Sequence, residues 1–398
     1  MTEAAAGPLL LGIPLVFVLF AATLLGVLVL HGRALEIALV GLGLVLAVRL
    51  VSTDFSLSHH LAREAVKLVD LLGLLVGFAQ IARHFERSQL SSALLRVLPK
   101  GAIGSFTLLA LVWLLSGVVD NIAAATIGAT AAARIYRGKV HLGYLAAIVA
   151  CANSGGAGSV VGDTTTTMMW LEGIRPLQVL PAYTGALVAL LICGAVASFQ
   201  QARYAPAVPE PEARVRIDVL RAAIVAGALA AMVLVNLASR KALGARAEGV
   251  PLLAITLWAA LVVAAPVRGL DWRIIPASLK DAVFLLALVL AASLMPVQTL
   301  PRPSASTTFV LGVVSSVFDN IPLTKLALEQ GGYDWGLLAY AVGMGGSMLW
   351  FGSSAGVAVS TTFPDARSTW RWLRGGWHVP VAFVAGYFVQ RAVHGWHP

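Results

Sequence analysis

Charged residues are scarce in this 398-residue chain: Asp, Glu, Lys and Arg make up 12% of it, against 59% for hydrophobic residues. An average soluble domain has about 25% charged residues. The composition therefore excludes an ordinary water-soluble fold. Apolar stretches long enough to cross a ~30 Å hydrocarbon core, which takes about 20 helical residues, recur along the whole chain. We expect an all-α polytopic membrane protein surrounded by the lipid bilayer.

Cysteine is nearly absent, and no His or Cys cluster accompanies the polar motifs described below. The two cysteines, Cys151 and Cys193, lie in apolar context, where a small buried residue is expected. We therefore expect no disulfide, no cofactor and no transition-metal site. The net charge of +9 comes from Lys and Arg scattered over short loops. This distribution indicates membrane orientation and not a nucleic-acid partner.

Eight uninterrupted apolar runs are predicted to be membrane helices. The first is too long for the apolar core of a signal peptide and is expected to be a retained helix. The eight runs cover residues 8–30, 35–51, 66–82, 177–199, 217–238, 250–267, 281–297 and 376–393. Four further runs are interrupted by polar residues or glycines. These cover residues 101–134, 142–173, 304–331 and 333–363.

Lys and Arg set the predicted orientation, because basic loops stay on the cytoplasmic side. The basic loops 83–100 and 134–139 flank the run 101–134. This run must then enter and leave on one side, as a re-entrant hairpin with Asp120-Asn121 near its tip. Such a hairpin is tolerated at membrane depth only if it is buried in protein or lines a cavity. The run 304–331 is predicted to be a second hairpin that enters from the outside. The basic loops 268–280 and 366–375 are then also predicted to be cytoplasmic.

Each half then holds three helices, a hairpin, a broken helix and a final helix, which amounts to five crossings. Because five is odd, residues 1–199 and 217–398 are predicted to be inverted repeats, joined by a Pro-rich cytoplasmic linker, 200–216. We expect the protein in the cell inner membrane, with both termini outside, in the periplasm. The basic loop 239–249 also falls outside and is the one exception to the charge rule. This architecture is typical of secondary transporters, not of enzymes.

Two motifs recur in both halves in the same order. SGVVDNIAAAT in the first hairpin matches SSVFDNIPLTK in the second, and ANSGGAGSVVGDTTTT in the first broken helix matches GMGGSMLWFGSSAG in the second. The glycines keep the same spacing and are expected to permit unwinding of the helix. They are Gly155, Gly156 and Gly162 in the first half, and Gly345, Gly346 and Gly352 in the second.

Unwound segments leave backbone carbonyls that can replace the water around a small ion. Asp120 and Asp163 are the carboxylates of the first motif pair. Further oxygen ligands suited to a hard cation come from Asn121, Asn153 and the hydroxyls of residues 164–167. A carboxylate at the midplane costs at least ~2.5 kcal/mol, so the aspartates are functional candidates by default. The amides, serines and glycines retain an alternative role in helix capping and close packing.

Three more ionisable residues stand apart from these motifs. Asp70 and Asp281 fall at or near predicted helix ends, where an interfacial and a functional role are equally open. Lys325 lies about a turn and a half beyond the second tip, too deep to reach the interface comfortably. Our hypothesis is that its ammonium occupies or neutralises the site of the second half beside Asp319. A mobile cation would then be held by the first half alone.

These motifs resemble the NhaD-type sodium/proton antiporters of the ion transporter superfamily, which also holds arsenite permeases and citrate or dicarboxylate symporters. The resemblance lies in DNIAAAT followed by ANSGGAGSVVGDTTTTMMW. Carboxylate-transporting relatives usually show Ser-Asn-Thr at the tip and Gly-Thr-Pro-Pro after the break. The resemblance implies alternating access, with H⁺ competing against Na⁺ or Li⁺, and is compatible with a homodimer. The ligands that it implies are Asp120, Asn121, Asn153, Asp163, Thr165, Thr166, Asp319, Asn320, Ser347, Ser353 and Ser354.

The sequence also departs from that family. Trp350 stands where a small polar residue is expected, and IARHFE follows the third helix where antiporters tend to have an intramembrane Glu. The main alternative is a symporter of citrate, dicarboxylate or an oxyanion, with half-helix N-termini as the anion site; the absence of Arg near the motifs argues against it. An intramembrane aspartyl protease would leave the Asn beside each Asp unexplained. A passive channel would not need paired broken helices.

Overall fold

The computed structural model describes residues 7–10, 12–53, 55–90, 93, 99, 101–206, 216–243 and 249–398. Most of the predicted linker 200–216, and Arg96, Lys100 and Arg246 of the predicted loops, lie outside the described residues. The described part is almost entirely helical.

Helices of the first half of the chain are α1 Leu15–Val29, α2 Ala34–Ser52, α3 Leu57–Arg87, α4 Gly101–Ser116, α5 Asn121–Ile135, α6 Leu142–Gly156, α7 Thr164–Leu171, α8 Pro176–Val179 and α9 Ala182–Tyr204. Helices of the second half are α10 Val219–Leu243, α11 Leu252–Ala264, α12 Ile275–Ser293, α13 Ala305–Val314, α14 Asn320–Gln330, α15 Trp335–Gly345, α16 Ser354–Thr362, α17 Thr369–Gly375 and α18 His378–His394. Short 3-10 turns cover His31–Arg33, Trp272–Ile274, Val297–Thr299 and Pro364–Arg367, and β1 Leu9–Leu10 pairs antiparallel with β2 Ile13–Pro14.

In the described part of the chain, five helical stretches are long and apolar enough to cross a membrane. They are Ala34–Ser52, Leu57–Arg87, Pro176–Tyr204, Val219–Ser239 and Trp272–Ser293. Large apolar side chains on the outside of the helices, such as Val51 at 86% and Val263 at 79% exposure, are suited to lipid and not to water. The chain is an all-α multi-pass membrane protein, as the sequence predicts.

The structure places a break in each of the four interrupted runs. Residues 117–120 separate α4 from α5, and residues 157–163 separate α6 from α7. In the second half, residues 315–319 separate α13 from α14, and residues 346–353 separate α15 from α16. Helix ends therefore recur in the same order in both halves, with their unpaired backbone groups at the predicted motifs.

Helix α3 begins nine residues before the predicted run 66–82. Its added turns include Glu64, whose charge ends the apolar pattern in the sequence. Glu64 is nevertheless buried, because the ammonium of Lys325 lies 2.9 Å from its carboxylate. Asp70 consequently lies inside α3 and is buried, so the prediction that it sits near a helix end is wrong.

Packing divides the chain into two compact units. Unit 1 comprises Met1–His84, Leu220–Arg302 and Lys325–Gly331, and unit 2 comprises Phe85–Val219, Pro303–Thr324 and Gly332–Pro398. Each unit draws on both halves of the sequence, so this division differs from the predicted division into repeats. Helix α14 begins in unit 2 and ends in unit 1.

Small residues bring helices close together in unit 1. A Cβ on Gly73 of α3 would stand 2.6 Å from the Cβ of Ala254 in α11, and the Trp258 indole donates to the Gly73 carbonyl at 2.9 Å. The Asp70 carboxylate accepts a hydrogen bond from the backbone N–H of Ala254 at 2.6 Å. Asp70 thus caps the first turn of α11 from a neighbouring helix.

In unit 2, helix α9 packs against α4, α6 and α18, and α13 packs against α15. Helix α5, after the first hairpin tip, packs against α16, which follows the second broken-helix interruption. Helix α7 packs against α15. Elements of the two sequence halves therefore interleave around the four breaks, and this brings the predicted motif residues of unit 2 together.

Candidate functional site

Every break is followed by a helix whose first turn is capped by a side chain of the break. The acceptor and donor pairs are Asp120 Oδ2 with Ile122 N (3.1 Å), Asp163 Oδ1 with Thr165 N (3.1 Å), Asp319 Oδ1 with Ile321 N (3.0 Å) and Ser353 Oγ with Gly356 N (3.3 Å). Capping thus accounts for the hydrogen bond of one oxygen in each of the three carboxylates. It leaves the second oxygen of each Asp available for another partner.

Asp163 is a buried carboxylate with one oxygen that capping does not use. Its side chain is 2% exposed, and its Oδ2 has no hydrogen-bond partner among the described residues. The carboxylates of Asp120 and Asp319 lie within electrostatic range of it. A buried carboxylate oxygen without a partner is costly unless it binds a proton or a cation. Asp163 is therefore the strongest candidate ligand of the site.

Asn153 joins the first hairpin tip, the first break and the second break. Its Oδ1 accepts from Asn121 Nδ2 at 3.1 Å, and its own Nδ2 donates to Ser347 Oγ and Ser353 Oγ, each at 2.9 Å. The side chain is fully buried. Four of the predicted ligands thus form one hydrogen-bonded group. Because the amide is engaged at both ends, Asn153 orients the others.

The predicted threonines hold the first break together. The hydroxyls of Thr166 and Thr167 both donate to the backbone carbonyl of Asp163 at 2.9 Å, and Thr167 also donates to the Val160 carbonyl at 2.9 Å. The backbone N–H of Thr165 donates to the capping carboxylate of Asp163, and the Thr165 side chain is fully buried beside that carboxylate. The threonine run therefore ties the irregular segment 157–163 to α7, and this fixes the position of the Asp163 carboxylate.

The hydrogen bonds of the second hairpin tip differ from those of the first. The Ser354 hydroxyl donates to Asp319 Oδ2 at 3.1 Å, so both oxygens of this carboxylate accept a hydrogen bond. Asn320 is buried, and its Nδ2 has no partner within the described part of the chain. The atom left over here is a donor, whereas the atom left over at Asp163 is an acceptor. The two halves differ in the chemistry that they offer.

The repeated motifs correspond to repeated contacts. The Ser116 hydroxyl donates to the carbonyl of Ala152, and the Ser315 hydroxyl donates to the carbonyl of Val342 at 2.8 Å; these are matching positions of the two halves. A Cβ on Gly155 would lie 2.1 Å from the Trp113 carbonyl oxygen, and one on Gly345 would lie 2.0 Å from that of Gly312. No side chain fits at either glycine without a shift of the backbone.

The other predicted glycines line each break in the same way. A Cβ on Gly156 would stand 2.6 Å from the carbonyl oxygen of Gly162, and one on Gly346 would stand 2.9 Å from that of Gly352. Gly162 and Gly352 themselves face backbone carbonyls of Ser116 and Ser316. Close backbone approach is thus the physical reason for glycine here.

Lys325, in unit 1, contacts the carboxylates of Glu64 and Glu329. Its ammonium lies 2.9 Å from Glu64 Oε2 and 2.7 Å from Glu329 Oε1, and the Lys325 side chain is 3% exposed. Glutamates that the sequence motifs do not include thus contribute to compensating its charge. The role of Lys325 beside Asp319 stays a prediction. The sequence did not indicate Glu64 as a buried partner, because it lies before the apolar run 66–82 that predicts α3.

Trp350 belongs to the second break in unit 2. Its indole Nε1 donates to the hydroxyl of Thr369 at 3.2 Å, and its ring meets Phe351 edge-on. A Cβ on Gly356 would lie 2.3 Å from the Trp350 carbonyl oxygen. The indole is therefore held by its hydrogen bond to Thr369, and Gly356 allows the close approach of the Trp350 backbone.

Three segments predicted to be cytoplasmic lie together in unit 2. The Gln201 side chain accepts from His141 N at 2.8 Å and donates to the Lys139 carbonyl at 3.1 Å. The adjacent Gln200 donates to the Gly375 carbonyl at 3.1 Å. The loop 134–139, the start of the linker and the loop 366–375 therefore share one end of unit 2. The predicted orientation requires this arrangement.

Apolar helices, paired breaks and a buried carboxylate site define the class to which this chain belongs, that of all-α multi-pass membrane proteins with a polar site at interrupted helices. No family model matches the chain. Comparison with curated proteins gives a more particular likeness. The chain is 38% identical over 95 residues to the Na(+)/H(+) antiporter NhaD of Alkalimonas amylolytica. The aligned stretch covers 23% of this chain and 19% of that protein.

Two plant proteins are also similar. Sodium/proton antiporter 1 of Arabidopsis thaliana is 26% identical over 327 residues, which covers 71% of this chain and 54% of that protein. Sodium/proton antiporter 2 of the same plant is 34% identical over 95 residues, 21% of this chain and 22% of that protein. The chain thus matches about half or less of the length of each of these relatives. They support a likeness to sodium/proton antiporters and do not single out the NhaD type.

Proposed function

We propose that this chain is a secondary transporter that exchanges Na⁺ or Li⁺ for H⁺. The observation that carries the proposal is the Asp163 Oδ2 atom, a buried carboxylate oxygen without a partner among the described residues. It lies within electrostatic range of two more carboxylates, Asp120 and Asp319. The three relatives, each called an antiporter of sodium and protons, support the same exchange.

In the proposed mechanism, Asp120 and Asp163 bind either a proton or the cation. A monovalent cation stabilises both carboxylates in their charged form, and its departure leaves like charges that attract a proton. Because the proton and the cation compete for the same carboxylates, the movement of one is coupled to the movement of the other. Alternating access would carry the loaded site from one side of the membrane to the other. Asn121, Asn153, Thr165, Thr166, Asn320, Ser347, Ser353 and Ser354 would hold the site in shape or complete its oxygen ligands.

We further propose that residues 1–199 and 217–398 are repeats inserted in opposite senses. The matching contacts of Ser116 and Ser315 support a duplicated scaffold. The shared end of the loops 134–139 and 366–375 supports placing them on one side, the cytoplasm, with the linker 200–216. Both termini would then be periplasmic, in a cell inner membrane, and the transporter could assemble as a homodimer.

The test is cation-induced collapse of a proton gradient in everted membrane vesicles that contain the native chain or Asp163→Asn. The native chain is expected to respond to Na⁺ and Li⁺, and the variant is expected to lose the response while keeping its expression level. Ser154→Ala is a matched control, because its buried hydroxyl also has no partner among the described residues but carries no charge. A native chain that ignores both cations and takes up citrate would overturn the proposal.

A further inference from the structure

Gly343 faces the candidate site from the opposite half of the sequence. It lies in α15 and is buried. A Cβ built on it would stand 3.6 Å from Asp163 Oδ2, 3.5 Å from the carbonyl oxygen of Asn153 and 3.5 Å from the Cβ of Ala157. Two oxygen atoms that could serve a cation therefore border the space beside this glycine. One of them is the carboxylate oxygen for which the described residues offer no hydrogen-bond partner.

Gly343 is also the counterpart of Asn153. When the two motifs are aligned with Gly155 on Gly345, Asn153 aligns with Gly343 and Asp163 aligns with Ser353. The first half thus contributes an amide and a carboxylate, and the second contributes a hydrogen atom and a hydroxyl. The difference leaves room in the second half for the carboxylate of the first.

The geometry distinguishes Gly343 from the glycines that the fold requires. At Gly345 a Cβ would lie 2.0 Å from a backbone oxygen, which no side chain tolerates. At Gly343 the nearest atoms would be at ordinary van der Waals distance. Alanine therefore fits the fold at position 343, but its methyl group occupies space beside both oxygens.

We propose that Gly343 determines the size of the cation that the site accepts, because its missing side chain provides the space beside Asp163 Oδ2 and the Asn153 carbonyl. This inference rests on the proposed cation exchange. A methyl group at position 343 narrows the space and disfavours Na⁺ more than the smaller Li⁺. Removal of the Ala157 methyl group, which borders the same space, has the opposite effect.

The experiment measures equilibrium binding of radioactive Na⁺ to the purified protein, and its displacement by Li⁺, for the native chain, Gly343→Ala and Ala157→Gly. Gly343→Ala is expected to raise the preference for Li⁺ over Na⁺ by roughly tenfold, the low end of what one methyl group changes in a closed pocket. Ala157→Gly is expected to lower it. Gly227→Ala is the matched control, since a Cβ there meets nothing within 4 Å, and its preference is expected to equal that of the native chain.

An unchanged Li⁺ to Na⁺ ratio in folded Gly343→Ala would overturn the inference. Size-exclusion chromatography establishes folding; if Gly343→Ala does not fold, Ala157→Gly decides alone, and an unchanged ratio there is equally contradictory. A native chain that binds both cations and exchanges them in vesicles, with no change in either variant, refutes the role of Gly343 and leaves the exchange standing. A native chain that binds neither cation refutes both.

Discussion

The side-chain amide of Asn153 donates a hydrogen bond to the hydroxyl of Ser353 across 2.9 Å, and this bond joins the helix break of the first half to that of the second. The counterpart of Asn153 is Gly343, which has no side chain to return the contact. The contacts around the breaks are repeated in both halves, but the side-chain amide that joins the two breaks comes from the first half. Among the described residues, the buried carboxylate oxygen without a hydrogen-bond partner also belongs to the first half, at Asp163.

Replacement of Asn153 by alanine tests this link. It removes three buried side-chain hydrogen bonds, so we expect the free energy of unfolding to fall by about 1–3 kcal/mol and cation exchange to be lost. Thermal unfolding in detergent and the vesicle assay measure the two effects. Ser154→Ala, one residue further along the same helix, should leave both unchanged. Equal stability of the two variants would show that the amide does not join the breaks.

Asp319 is expected to matter less for the cation than Asp163. Both of its oxygens already accept hydrogen bonds, one of them from Ser354. Ser354→Ala should therefore raise the half-saturating Na⁺ concentration by no more than about fivefold, equivalent to about 1 kcal/mol for one hydrogen bond. Asp163→Asn should abolish saturation. If Ser354→Ala were as severe as Asp163→Asn, the two halves would contribute equally to cation binding.

Lys325 is expected to stabilise unit 1 through its two glutamates. Lys325→Met leaves Glu64 and Glu329 without their buried counter-ion, and we expect a loss of about 3–5 kcal/mol in the free energy of unfolding. Adding Glu64→Gln removes one of the stranded charges, so the double variant should lose less than the sum of the two single variants. Urea or thermal unfolding in detergent measures the free energy of unfolding of the native chain, the two single variants and the double variant, which together form a double-mutant cycle. Additive losses would mean that the ion pair does not stabilise the fold.

Asp70 is predicted to be a structural cap and not a transport residue. Asp70→Ala removes the acceptor for the Ala254 N–H, and this should cost about 1 kcal/mol of stability. Asp70→Asn keeps an acceptor oxygen and should cost less. Both variants should retain cation exchange once stability is accounted for. Lost exchange with native thermal stability would instead place Asp70 in the transport pathway.

Local features of the fold could be predicted from the sequence. The four breaks follow from Gly and Asp residues inside apolar runs, because both interrupt a helix by local chemistry. The start of α3 could not be predicted, since the buried partner of Glu64, Lys325, lies 261 residues away in the sequence. The bonds from Asn153 to Ser347 and Ser353 span 194 and 200 residues and depend on packing in the same way.

Within the site, the types of ligand could be predicted from the sequence. The difference in hydrogen bonding between Asp163 and Asp319 could not. Carboxylates and amides at breaks indicate a hard-cation site, but which oxygen remains unpaired depends on capping geometry at Asp163 and Asp319. Gly343 could have been found from the sequence, by carrying the pairing of the glycines two residues back to Asn153. Its significance needs the structure, which brings it beside Asp163 Oδ2.

The central claim is that a proton and a cation compete for the carboxylates around Asp163. Calorimetric titration of the purified protein with Na⁺ in buffers of different ionisation enthalpy measures the protons released per cation bound. Release of protons on binding by the native chain, and no binding by Asp163→Asn, is the result that we predict. Binding of Na⁺ without proton release, or undiminished binding by Asp163→Asn, would contradict the account.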